Sequence, residues 1–286
     1  GSNMYISTVS KRTDGNTHWL NGSNKVVAYD LPSLVSPTLK WERIQTLDIG
    51  GDFGFFNNEL NISFDWYQRT TKDMLAPGQT MPDVLGAGAP KINAGTLRTR
   101  GWELSIDWRH HFNEVNVYAN ASIGDFKTVI TKWDNDSQLL NENYSGKVYG
   151  DIWGFETDRY FTKDDFNADG SYKEGIASQK KLEQDGFVYG PGDIKFKDLN
   201  NDKEINGGEG TVKDHGDLKV IGNTTPRYQY GFRLGGEWKG IDIDMFFQGV
   251  GKCDAWTQSA FVMPMMRGAD AIYANQANYW TDENPD

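Results

Sequence analysis

Leu47-Asp-Ile-Gly-Gly-Asp-Phe-Gly-Phe55, a break at Asn57-Asn58, then Leu60-Asn-Ile-Ser-Phe-Asp-Trp66: this stretch decides the fold. Leu47, Ile49, Gly51, Phe53 and Phe55 alternate with Thr46, Asp48, Gly50, Asp52 and Gly54. Beyond the turn, Leu60, Ile62, Phe64 and Trp66 alternate with Asn61, Ser63, Asp65 and Tyr67. A period of two puts each set on one face of a strand, with a short turn at Asn57-Asn58 between them. The pattern occurs twice more. Trp102, Leu104, Ile106 and Trp108 alternate with Glu103, Ser105, Asp107 and Arg109, turn near Asn113-Glu114, and return through Val115, Val117, Ala119, Ala121 and Ile123. Tyr228, Tyr230, Phe232, Leu234 and Trp238 stand opposite Gln229, Arg233 and Glu237, turn at Lys239-Gly240, and return through Ile241, Ile243, Met245 and Phe247.

A half-buried sheet in a soluble sandwich alternates in the same way. Three features favour a membrane barrel. The strands outrun the five or six residues usual in globular sheets. Aromatic residues flank each tight turn (Phe55 and Phe56, Phe112, Trp238), where an interfacial girdle lies. Very short connections alternate with long ones: some 20 residues separate Met74 from the strand at Trp102, and a longer segment follows Trp133. The expected fold is therefore all-β, an antiparallel transmembrane β-barrel segment with short periplasmic turns and long extracellular loops. Segments Asp151 to Phe161 and Asp193 to Lys197 are expected to add strands.

Composition agrees. The 286 residues include ten Trp, thirteen Tyr and fifteen Phe, too many for a disordered chain, and 32 Gly. A net charge of −11 argues against nucleic acid, which needs a basic face. One cysteine, Cys253, leaves no partner for an internal disulfide. No run of about 18 apolar residues offers a transmembrane helix, but a barrel strand needs only about 10 residues of alternating character. In such a wall the apolar rows meet lipid. Asp48, Asp52, Asp65, Glu103, Asp107, Arg109, Arg233, Glu237, Asp242 and Asp244 then face a hydrated lumen, because Arg or Lys facing lipid at mid-membrane costs roughly 2–4 kcal/mol.

Chemical motifs are sparse. Asp198, Asn200, Asp202, Glu204, Asn206 and Glu209 place oxygens with the spacing of an EF-hand calcium loop, although Lys203 stands where Gly permits the sharp turn. These six are the candidate calcium ligands, weighed against an Asx-rich surface turn. Asp165-Phe-Asn167-Ala-Asp169-Gly170 begins similarly but has Ile176 at the bidentate position and reads as a turn. His18, His110, His111 and His215 lack zinc spacing, and the adjacent pair faces opposite sides of a strand. Gly86-Ala-Gly88-Ala-Pro90 reads as a loop, not a phosphate cradle. No nucleophile elbow is present and no catalytic residue is assigned; the protein is expected not to be an enzyme. Trp19, Trp133, Tyr144, Trp256, Tyr279 and Trp280 lie outside the clear strands, where such rings either stack on ligands or pack the loops.

Taken in order, several blocks resemble the SusC/RagA family of TonB-dependent outer-membrane transporters. They include Leu34-Val-Ser-Pro-Thr-Leu-Lys-Trp41-Glu42, Phe64-Asp65-Trp66-Tyr67 with Thr71-Lys-Asp73-Met-Leu75, and Asn93-Ala-Gly95-Thr-Leu-Arg-Thr-Arg-Gly101-Trp-Glu103. Gly150-Asp-Ile-Trp153-Gly-Phe155, Gly192-Asp193-Ile-Lys-Phe196-Lys-Asp198, Tyr230-Gly231-Phe232, Phe247-Gln248-Gly249 and Tyr279-Trp280-Thr281 follow. The resemblance implies a 22-stranded barrel with an N-terminal plug, import of glycan or peptide oligomers through TonB, and a SusD-like surface lipoprotein as lid. Residues 1–286 are then expected to be part of a single barrel domain, without the plug, the TonB-contacting segment or the final strands. The competing class is a secreted soluble β-domain that binds carbohydrate with a calcium-ordered loop.

Overall fold

The computed structural model describes residues 34–78, 88–257 and 273–281 continuously, together with scattered positions among 7–32 and at 82, 84, 283 and 284. Its frame is a six-stranded antiparallel sheet built from β3 (Arg43–Phe55), β4 (Leu60–Pro77), β5 (Lys91–Phe112), β6 (Val115–Lys132), β11 (Arg227–Trp238) and β12 (Ile241–Lys252). The spatial order is β3-β4-β5-β6-β11-β12, so β6 and β11 are neighbours despite the long sequence between them. The remaining strands are short: β1 (Leu20–Asn21), β2 (Asn24–Lys25), β7 (Asp151–Phe155), β8 (Thr157–Tyr160), β9 (Ile194–Phe196) and β10 (Leu218–Asn223). None of the described helical segments exceeds a short 3-10 turn, and no described helix is long and apolar enough to cross a membrane.

All three tight turns lie at one end of the sheet. Phe56, Asn57 and Asn58 take positive φ (55°, 54° and 66°) between β3 and β4, Asn113 does so (50°) between β5 and β6, and Lys239 and Gly240 (49° and 83°) form a two-residue hairpin between β11 and β12. Positive φ at both central residues matches the twist of the flanking strands, which is why such turns close hairpins. The long connections leave from the opposite end.

Two expectations are corrected here. The segment from Met74 to Trp102 is not a 20-residue loop: β4 runs to Pro77 and β5 starts at Lys91, leaving residues 78–90 as the connection. Its mouth is closed by the Gly78 N–H donating to the Pro90 carbonyl (3.0 Å). The segments near Asp151 and Asp193 do form strands, but these do not join the wall. β7 pairs with β10 and β8 with β9 in two small separate sheets.

Those sheets belong to a loop domain between β6 and β11 with a core of its own. Phe161 and Ile205 are fully buried, and Leu140 and Tyr144 nearly so. Phe161 packs among Phe166, Tyr172 and Tyr189, with ring centroids 5.1–6.3 Å apart. With so little regular structure, buried side chains take over the pairing of backbone groups that strands would otherwise provide. Gln179 donates to the Ile194 carbonyl (3.1 Å) and accepts from the Phe196 N–H (2.7 Å). The Asp217 carboxylate accepts the Leu199 and Asn206 N–H groups (2.8 and 3.0 Å). Both residues are fully buried.

Candidate functional site

The register of the sheet sorts its side chains. Residues directly opposite in an antiparallel ladder share a face. Across the six strands one row reads Phe53, Ile62, Ile106, Ala121, Phe232, Phe247. One residue earlier or later along each strand the row reads Asp52, Ser63, Ser105, Ser122, Gly231, Gln248. Continuing the two parities puts Leu60, Phe64, Trp66, Trp102, Leu104, Trp108, Tyr230, Leu234, Ile243 and Met245 on the apolar face. The ladder likewise brings all ten predicted polar residues to the other face: Asp48, Asp52, Asp65, Glu103, Asp107, Arg109, Arg233, Glu237, Asp242 and Asp244.

Among the described residues no second layer covers the apolar face. Leu47, Phe64 and Phe232 are 54%, 43% and 38% exposed, which no compact two-layered core permits. Along β5 the apolar row runs ten residue steps, from Trp102 to Phe112, interrupted by His110, which meets Glu59 (2.6 Å) beside the turns. At about 3.3 Å per residue and a barrel tilt of about 40°, that is a band about 25 Å tall, the height of the apolar belt of outer-membrane barrels.

The polar face is a groove rich in carboxylates. Eight of the ten residues are acidic, and each arginine is engaged by one of them. Arg109 meets Asp107 (3.2 Å), and Arg233 meets Asp244 (2.7 Å), which also accepts the Tyr118 hydroxyl. Two glycines make room for rings that lie flat here: a Cβ on Gly101 would sit 2.5 Å from the Tyr67 ring, and one on Gly235 would sit 2.2 Å from Tyr118. A concavity of about 390 Å³ opens among Ser63, Asp65, Glu103, Ser105, Ser122 and Gln229.

At the end away from the tight turns, the loop domain meets this polar face. Ile130, on the polar-face parity of β6, is only 1% exposed, and the loop backbone bonds to β6 through Ile130 N–H to the Lys147 carbonyl (2.9 Å) and Tyr149 N–H to the Thr128 carbonyl (2.9 Å). Where the chain returns to the wall, Arg227 donates to both carboxylate oxygens of the buried Asp125, and the Tyr228 N–H adds a third bond. Within the domain, Arg159 donates to both oxygens of Asp165 (2.6 Å each) and holds that carboxyl at about 2, helped by the Thr162 N–H. Glu156 is likewise drawn down to about 2 by Lys197 and Lys219.

The Asp198–Glu209 loop is a ladder of side chain to backbone turns. Asp198 accepts the Asn201 and Lys203 N–H groups (2.6 and 2.9 Å), Asn200 that of Asp202, Asp202 that of Glu204, and Asn206 that of Gly208. Lys203 takes the left-handed conformation (φ 67°) expected of glycine, and Glu204 turns away to Lys181 (2.5 Å). Among the described residues no group of three or more His, Cys, Asp or Glu side chains gathers as for a metal ion, and the carboxylate and amide oxygens of this loop accept from its own backbone N–H groups. Asp165, from the second acidic fragment, serves Arg159 instead.

Of the loop aromatics, Trp133 packs on Gly95, Tyr144 is buried and accepts the Trp153 indole N–H (3.2 Å), and Trp280 lies on Gly192. Trp256 and Tyr279 remain 65% and 69% exposed. Trp19, His18 and Gly86 lie outside the described residues. The Asp125–Arg227 clasp and the buried Gln179 and Asp217 were missed by sequence reasoning, because each pairs residues far apart in sequence or backbone groups no pattern marks.

Comparisons with known proteins agree on the architecture. The family model described as TonB dependent receptor-like, beta-barrel matches residues 2–285. TonB-dependent receptor P3 of Formosa agariphila is 28% identical over 282 residues, covering 92% of this chain and 25% of that protein. TonB-dependent receptor SusC of Bacteroides thetaiotaomicron is 27% identical over 217 residues, covering 70% of this chain and 19% of that protein. The chain thus spans about a quarter or less of the length of these relatives. The solved RagAB peptide importer in its open-open state superimposes with a TM-score of 0.60 at 20% identity, over 87% of this chain and 24% of that one. Its likeness is one of fold. The sheet is an antiparallel transmembrane β-barrel segment, and the chain belongs to the TonB dependent receptor-like β-barrel family.

Proposed function

We propose that this segment forms part of the wall and an extracellular loop domain of an outer-membrane nutrient importer of the SusC type, carrying glycan or peptide oligomers. The observation that carries the reading is the separation of faces over six strands: an uncovered apolar band about 25 Å tall backs a polar groove. In this reading the ten polar residues line a wet lumen. Its excess of carboxylates suits neutral or cationic cargo and opposes polyanions. The loop domain, seated on the polar face at its open end, would meet cargo and a SusD-like lipoprotein, with Trp256 and Tyr279 as exposed rings for stacking. TonB would act through a part of the protein beyond this chain.

Cysteine accessibility in the full-length protein tests the reading. On a Cys253→Ser background, single cysteines at 103, 105 and 233 should react with a membrane-impermeant maleimide. Those at 104, 106 and 232 should resist it and be quenched by lipid-attached spin labels. Equal aqueous labelling of both sets would refute the lumen assignment.

A further inference from the structure

Above the Trp66–Trp102 row the outward face does not simply become polar. It becomes cationic. The next row in register is Gln68, Arg100, Lys127, and the one beyond it Thr70, Arg98, Val129; Lys72 follows on β4. All have the parity of the apolar band, so they share its face, two to six residue steps past its upper edge toward the long-loop end.

Two observations make this cluster unusual. Arg100 and Lys127 stand directly opposite one another, an arrangement in which like charges repel across about 5 Å. Their neutralisation is also missing. The chain carries 40 acidic against 29 basic residues, and several cations elsewhere pair with carboxylates, as at Arg43–Asp73, Arg159–Asp165, Lys197–Glu156, Arg227–Asp125 and Arg233–Asp244. Among the described residues, Arg98, Arg100, Lys127 and Lys72 have no carboxylate partner; Arg100 donates only to the Gln68 side-chain oxygen (2.8 Å). Three acids lie in that region and each is engaged: Asp73 by Arg43, Asp125 (in register with Trp102 on the same face) by Arg227, and Glu42 by the Leu75 N–H. In so acidic a protein, a cluster of cations without acids calls for an anion from outside.

The position says which one. The cluster sits at the depth where headgroups begin, immediately beyond two tryptophans of the apolar band, and its face is turned away from the polar groove. We propose that Arg98, Arg100, Lys127 and Lys72 bind the phosphate groups of a phosphorylated outer-leaflet lipid, whose acyl chains run down the apolar face below them. Guanidinium groups bind phosphate oxygens bidentately, and a bridging dianion relieves the Arg100–Lys127 repulsion. The inference rests on the membrane-wall reading above and adds the lipid to it.

Lipid retention by the full-length transporter tests it. The purified protein is titrated in mixed micelles with bisphosphorylated lipid A or with the same lipid dephosphorylated, and bound lipid is read by native mass spectrometry. Each cation near an anionic surface changes affinity roughly fivefold, so the triple Arg98→Gln, Arg100→Gln, Lys127→Gln variant should bind about a hundredfold more weakly. The exposed Lys127→Gln alone, which leaves the fold undisturbed, should cost about fivefold. The distant Lys239→Gln should bind as wild type does; Arg100→Lys, which keeps the charge but loses the bidentate fork, should fall between wild type and Lys127→Gln; and the dephosphorylated lipid should bind as weakly as the triple variant does. Unchanged binding by Lys127→Gln and the triple variant, equal binding of dephosphorylated lipid, or full displacement by millimolar inorganic phosphate would each overturn the site. Such a failure with the alternating cysteine pattern intact removes the lipid site alone; loss of that pattern removes the wall reading beneath it.

Discussion

Arginine moved stepwise through β5 offers a direct measure of which face meets lipid and how deeply. Ile106 lies four residue steps below Trp102 and six above Phe112 on the apolar row. At about 3.3 Å per step and a tilt of about 40°, it sits about 10 Å under one edge of a band about 25 Å tall and about 15 Å above the other, near mid-membrane. Ile106→Arg should therefore cost about 2–4 kcal/mol, a factor of roughly 30 to 1,000 in the folding equilibrium. Trp102→Arg, at the upper edge, should lose only about 0–1 kcal/mol to charge burial, beyond what the lost ring contributes. Ser105→Arg, one residue from Ile106 but on the polar row with Asp52, Ser63 and Ser122, should cost little and gain the neighbouring carboxylates. Urea unfolding of the full-length protein refolded into phosphatidylcholine vesicles measures all three. Equal costs at 105 and 106, or a cost at 102 matching that at 106, would refute both the assignment of faces and the depth scale.

Further expectations concern the loop domain and the groove. Phe161→Ala, emptying a fully buried ring site among Phe166, Tyr172 and Tyr189, should cost about 3–5 kcal/mol, seen as early proteolysis between residues 133 and 226 while the wall stays heat-resistant. Asp165 titrates at about 2 instead of about 3.9, so its stabilisation is complete above about pH 5 and is lost as pH falls through 2; the shift amounts to about 2.6 kcal/mol. Hydrogen exchange of the loop domain should accelerate over that window in wild type, and Asp165→Asn should flatten the dependence. Gly235→Val, whose Cβ would invade the Tyr118 ring, should eject that ring from the Asp244–Arg233 pair and weaken β6–β11 pairing, detectable as a lowered midpoint of unfolding. The Asp198–Glu209 loop is held by its own turns, so EGTA should leave its tryptic cleavage unchanged; protection restored by calcium would establish a cation site there.

The parts of this protein legible in its sequence are those where two solvents press on a strand from opposite sides. Phe53 beside Asp52, or Leu104 beside Glu103, could be assigned to faces because alternation at period two marks a strand with an apolar medium on one side and water on the other. The tight turns were legible through Asn57-Asn58 and Lys239-Gly240, whose backbones take the left-handed form. Beyond the apolar band the pattern fades. Lys91 to Gly101 is strand without alternation, since it lies past the apolar band and neither of its sides meets hydrocarbon, and so the β4–β5 connection looked longer than it is. The loop domain was harder still. Its core depends on Phe161, Ile205, Gln179 and Asp217 meeting from distant positions, and two of these four are polar. Segments around Asp151 and Asp193 read correctly as strands, but only topology reveals that they pair outside the wall.

The adjacency of β6 and β11 has a consequence for how such a protein can diversify. Residues 133–226 leave and rejoin the sheet on hydrogen-bonded neighbours, and the Asp125–Arg227 clasp fixes the return. The join is therefore two anchor points set one strand spacing apart, whatever lies between them. A different insert of any size, carrying its own interior, can be exchanged there while the barrel keeps its shear and circumference. Cargo preference can drift in one module while seating in the bilayer stays under separate selection.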